Sequence, residues 1–174
     1  METKIKDFLS NKLIFMVTDN KLDRTSWKKT FNGLHVRPDQ IVGFEKYRDA
    51  IREMDNSRPH ILLCSAGIKE TVADELLEKF RSISQNKSED LCYIISEEGD
   101  EHARLAFYHY ELDGLIEKPY TANDLNNKLR RGILEKVRYN KFEKAKHKSF
   151  ENIHFKQFEK VEAFVDVALK DNSK

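Results

Sequence analysis

Four short apolar runs, each closing on a polar residue, constrain what this chain can fold into more than any other feature. Leu13 to Thr18 runs into Asp19, Ile61 to Ser65 ends on a hydroxyl, Leu91 to Ser96 does the same, and Leu115 to Glu117 closes on Lys118-Pro119. The first three, of four or five apolar residues bounded by turn residues, suit strands buried on both faces, and the fourth is a short strand. Stretches with helical spacing separate them, and that alternation builds a parallel sheet with right-handed crossovers. All four polar ends then fall along one edge of the sheet, where open α/β sheets gather their chemistry.

Helical periodicity fills the connections. A helix is predicted over 22–31, with Trp27 and Phe31 spaced to face the sheet and Asn32-Gly33 to stop it. Ile41 to Phe44 reads as a weaker second strand, followed by a helix over 45–54. A third helix covers 69–84, with Val72, Leu76, Leu77, Phe80 and Ile83 on one side, and a fourth covers 100–111. Thr121 and Asp124 have the spacing of a capping box, a hydroxyl at the N-cap and a carboxylate three residues later, and open the next helix. Two cysteines, Cys64 and Cys92, lie inside apolar runs and outside any Cys-x-x-Cys or Cys/His grouping, so they are expected as buried thiols and no metal site is readable.

The strand ends carry a resemblance. Pro59-His60, four apolar residues and then Ser65 follow the register of response-regulator receiver domains, which place Pro-Asp, four apolar residues and then a phosphoacceptor aspartate. Thr18-Asp19 stands where that family carries an acidic pair, Ser96 where it ends its fourth strand on a hydroxyl, and Lys118-Pro119 at its lysine-proline. The chain therefore resembles a degenerate, CheY-like receiver over roughly residues 11 to 130. The resemblance implies a doubly wound α/β fold of five parallel strands in the order 2-1-3-4-5, and a vestigial phosphoacceptor pocket of Thr18, Asp19, Ser65, Ser96 and Lys118. It puts Leu115 at the position where the family carries an aromatic switch. Leu115 cannot make the swing that reports phosphorylation there.

The pocket chemistry decides the expected function. An aspartate carboxylate is ionised at neutral pH, whereas a serine hydroxyl is a poor nucleophile without an adjacent base. Thr18 and Ser65 also remove two oxygen ligands, leaving Asp19 as a weak hold on a hard cation. No enzyme activity and no cofactor are expected. Lys118 is expected to pair with Asp19 or with strand-end oxygens. The reading is a phosphorylation-independent signalling or adaptor protein that acts by protein–protein interaction. The family's usual contact face falls here on the helix over 100–111, the strand after it and the helix opening at Thr121, and carries Phe107, Tyr108 and Tyr110. A conventional phosphorelay receiver would need a non-standard acceptor, Ser65 or Glu70.

The chain is expected to divide into a receiver-like domain over 1–128 and a helical extension over 129–174. Lys128, Arg130, Arg131, Lys136, Arg138, Lys141 and Lys144 make the first part of the extension basic within a chain of net charge +1. Such a cluster serves as a solvated face, or as counter-charge for nucleic acid or an anionic membrane. A second helical pattern from about 149 to 170 spaces Phe158, Val161 and Val165 as an apolar stripe for the domain, a homodimer or a partner. No run is apolar enough for a transmembrane span and no signal peptide is readable, so the cytoplasm is the expected compartment.

Overall fold

In the computed structural model, five parallel strands are ordered β2-β1-β3-β4-β5. Residues 1–67, 70–84 and 89–154 are described, with side chains left out at 70–72, 144 and 146–154. The strands are β1 (Ile14–Val17), β2 (Ile41–Phe44), β3 (Ile61–Ser65), β4 (Leu91–Glu97) and β5 (Gly114–Lys118). The helices are α1 (Glu2–Leu9), α2 (Lys21–Gly33), α3 (Tyr47–Glu53), α4 (Glu70–Ile83), α5 (Glu101–His109) and α6 (Ala122–His154). Residues 1–133 and 134–174 form two compact units, each with its own contacts.

The three inner strands are the continuous apolar runs. Every residue of β1 and β3 is buried, as is β4 up to Ser96, because helices cover both faces of a parallel sheet. The edges are mixed: β2 buries Ile41 and exposes Gly43, and β5 fully buries only Ile116. Register places Leu62 opposite Cys92 and Cys64 opposite Ile94, so the two thiols are not partners across the ladder, and both are free and buried. Burial pushes the Cys64 thiol up to about 12.

One face of α4 seals the core. Leu76, Leu77 and Phe80 are fully buried and Ile83 packs at the margin. Each such side chain contributes on the order of 1.5–3 kcal/mol by leaving water. On α6, Leu125, Leu129 and Ile133 recur at four-residue spacing and are likewise buried. Thr121 opens that helix as a capping box. Its Oγ1 accepts from the Asp124 amide at 3.1 Å, and Asp124 Oδ2 accepts from the Thr121 amide at 2.9 Å. The helix then continues through 149 to His154 without a break, where a separate helical pattern was expected to begin.

Two local features depart from the sequence reading. Helix α1 was not foreseen. Its Ile5 and Leu9, one turn apart, are buried. The buried Gln40 amide donates to the carbonyls of Leu9, Ser10 and Lys12 at 3.0–3.1 Å, satisfying the segment's end. Gly33 does not stop α2 by adopting a left-handed turn; it is still helical, and His35 takes that role at φ 63°. The His35 amide donates to the Asn32 carbonyl and the Val36 amide to the Phe31 carbonyl, the paired bonds of a Schellman motif. The α5 terminus repeats this with Glu111 at φ 50°.

Candidate functional site

The carboxyl ends of β1, β3, β4 and β5 bring Thr18, Ser65, Ser96 and Lys118 to one edge. Thr18 is buried and its Oγ1 accepts from the Asn20 amide at 3.2 Å, shaping the turn into α2. Asp19, the remaining carboxylate of the expected pair, is exposed. Asn20 then caps α2, its Oδ1 accepting from the amides of Leu22 at 2.9 Å and Asp23 at 3.3 Å.

Ser65 is buried at the end of β3. Its Oγ lies 3.4 Å from the Gly67 amide, whose N–H it accepts, and its carbonyl accepts from the Tyr47 hydroxyl. Ser96 Oγ is buried and has no hydrogen-bond partner among the described residues. At the outer strands, Arg24 of α2 donates to the Thr18 carbonyl and, at 2.5 Å, to Glu45. Its stem crosses β2 at Gly43, where an added Cβ would stand 3.4 Å from Arg24 Cδ.

Lys118 is the focus of the charge pattern. Its ammonium lies 3.3 Å from Asp23 Oδ2 and 3.4 Å from Glu97 Oε1. The Asp23 carboxylate is 19% exposed, the lysine 27% and Glu97 76%, so the Asp23 half of the triad is the shielded one. The Asp23 contact is ionic rather than an aligned hydrogen bond, since Oδ2 finds no aligned donor. Burial alone would lower the lysine's pKa, but Asp23 foremost and then Glu97 outweigh it and hold it above the ordinary value. Lys118 thus pairs with a residue of the first turn of α2, and not with Asp19. Asp23 was missed in the sequence because it lies four residues past the strand end. Its signal was an acidic residue in the first helical turn, which reads as ordinary macrodipole complementation.

The three side chains line a cleft of about 420 Å³ with Ser26, Pro119 and Tyr120. The fully buried Trp27 donates its indole N–H to the hydroxyl of Tyr120, one of the lining residues, at 2.6 Å.

Receivers hold a divalent metal at this edge through carboxylates. The donor set here does not fit one: Thr18 and Ser65 offer hydroxyls already used in local turns, and the Arg24 guanidinium sits on the Thr18 carbonyl. Among the described residues, no three His, Cys, Asp or Glu side chains gather as a metal site.

The expected contact face is divided by burial. Phe107 and Tyr110 are half-buried against the core, while Tyr108 is 76% exposed. Leu105, one turn before Tyr108, is 67% exposed and was missed. Arg104 binds Glu117 of β5 at 3.0 Å, tying the helix to the edge strand. Leu115 packs half-buried against the core, and Lys128 donates to its carbonyl at 2.8 Å. Arg130 forms a two-pronged bond with Glu2 at 2.6 and 2.7 Å. Lys128 and Arg130 of the basic cluster are thus engaged inside the fold. The Lys144 side chain and Phe158, Val161 and Val165 lie outside the described residues, as does the Glu70 side chain. Among the described residues no helix is long and apolar enough to cross a membrane.

The architecture is that of receiver domains. A signal receiver domain of a histidine kinase from Clostridium thermocellum superposes with a TM-score of 0.61 at 15% identity, over 71% of this chain and 98% of the other. A CheY-like receiver domain from Methanospirillum hungatei gives 0.59 at 15% identity, over 72% and 96%. The chemotaxis response regulator CheY4 of Vibrio cholerae gives 0.56 at 13% identity, over 70% and 98%. No protein-family model matches the sequence, and no curated protein does. These likenesses establish the receiver fold.

Proposed function

We propose that this chain is a signalling or adaptor protein that works by protein–protein interaction without aspartyl phosphorylation. The observation that carries the reading is Ser65: a buried serine, bonded within its own turn, stands at the end of β3 where a receiver keeps its acceptor carboxylate. No histidine or glutamate among its hydrogen-bond partners serves as a base for it. The protein carries out no chemistry of its own on this reading and works in the cytoplasm. Partners dock on the face of α5, β5 and α6, with Leu105 and Tyr108 as exposed anchors. The segment over 129–174 is an appendage to this module and supplies a further contact surface.

Capture of bound proteins from the native cell tests the reading. Ser65→Ala should retain the partner captured by the wild type, and the pair Leu105→Ala/Tyr108→Ala should lose it. Loss with Ser65→Ala alone, in a protein that stays folded, would contradict it.

A further inference from the structure

The Asp23–Lys118 contact has an unusual path through the fold. Asp23 belongs to the helix that follows β1, and Lys118 ends β5; β3 and β4 lie between these strands. The two meet in the cleft that Ser26, Glu97 and Tyr120 also line, and Ser96, next to Glu97 at the end of β4, is buried with its hydroxyl unpartnered among the described residues. That edge is otherwise suited to an anion. It offers a lysine, Ser26 and the first turn of α2, and lies at the carboxyl end of the sheet, where parallel sheets bind their ligands.

We propose that Asp23 is a built-in anion: its carboxylate occupies Lys118 permanently and closes an anion site that the strand ends would otherwise form. Glu97 completes the neutralisation from the solvent side, directly opposite Lys118 in the β4–β5 register. Asp23 is well placed to hold this role. Its amide is fixed by the Asn20 cap, its carboxylate sits in the first turn of α2, and its Oδ2 is shielded from water. A carboxylate tethered by the fold outcompetes a free anion because it pays little ordering entropy on contact. This deepens the proposed function and rests on it in taking Ser65 as unphosphorylated: the lysine that would receive a phosphoryl oxygen is already engaged.

Trp27, the one tryptophan of the chain, bonds to Tyr120 in the wall of the same cleft and reports on it by fluorescence. The test titrates inorganic phosphate at constant ionic strength into the wild type, Asp23→Asn and Asp23→Asn/Lys118→Met, reading Trp27 emission and the melting temperature. Asp23→Asn keeps the shape and removes the charge, so it should gain a saturable response at least tenfold tighter than the wild type's. The double variant should lose it, and Glu97→Gln, on the exposed side, should show a smaller gain. A wild type that saturates at the same phosphate concentration as Asp23→Asn, or an Asp23→Asn that is folded by circular dichroism and unresponsive, would overturn the proposal. Wild-type mass after exposure to acetyl phosphate separates the two ideas, since an adduct on Ser65 would defeat the proposed function whatever the titration gives.

Discussion

His60 joins two central strands of the sheet. It follows Pro59 where receivers carry an aspartate, and sits at the amino end of β3, far along the strand from the acceptor slot. Its Nδ1 accepts from the Leu13 amide at 3.2 Å, and its own amide donates to the Leu13 carbonyl at 2.8 Å, zipping β1 to β3. Accepting at Nδ1 requires that nitrogen to be unprotonated. Burial, then Lys12 and Arg58 against Asp90 and Glu89, lowers the imidazole's pKa below its ordinary value. A histidine with a lowered folded pKa contributes stability that is present above its unfolded pKa, about 6.5, and is lost as pH falls through the folded value. Denaturant melts at pH 7.5 and pH 5 should therefore show acid destabilisation, and His60→Asn, which keeps an acceptor at the same place without titrating, should flatten that part of the slope. An unchanged slope would locate the acid sensitivity elsewhere. The sequence pointed to the polar strand ends but not to this bond, because an imidazole after a proline carries no local signal of which nitrogen it uses.

At the scale of elements, the strands were legible and the helix ends less so. β2 and β3 have the limits their apolar runs predict, and in β3 burial throughout leaves no polar residue inside to blur them. Helix α1 escaped notice because Ile5 and Leu9 alone make too short a stripe. The end of α2 was placed two residues early, at Phe31 before Asn32-Gly33, because a glycine is the usual left-handed residue; here His35 is the left-handed one, inside the bonds from His35 to Asn32 and from Val36 to Phe31. The packing of α6 on the sheet depends on glycine in another way. A Cβ at Gly132 would stand 1.8 Å from the Tyr93 hydroxyl, and one at Gly114 would stand 2.4 Å from the Tyr93 ring. Gly132→Ala should cost about 1–3 kcal/mol by overpacking. Tyr93→Phe should recover much of it, since the ring carbon behind the hydroxyl is 3.1 Å away. Equilibrium unfolding of the two single variants and the double measures this; purely additive effects would show that helix and sheet part by some other route.

For the molecule as a whole, the sheet is a receiver's and the charges at its carboxyl edge are arranged differently. Two cations, Arg24 and Lys118, are tied to carboxylates of the same chain, and two buried hydroxyl residues, Thr18 and Ser65, stand at the ends of β1 and β3. Order and spacing of the strand ends revealed the fold, since each lies at a fixed place in the βα repeat. They did not reveal the triad, because Asp23 and Lys118 are brought together by tertiary packing alone. The central claim is that this edge takes no phosphoryl group. Intact mass of the wild type after incubation with acetyl phosphate and magnesium tests it most directly. The account predicts an unchanged mass in the wild type and in Ser65→Ala alike. A stoichiometric gain of one phosphoryl group that disappears in Ser65→Ala would contradict it.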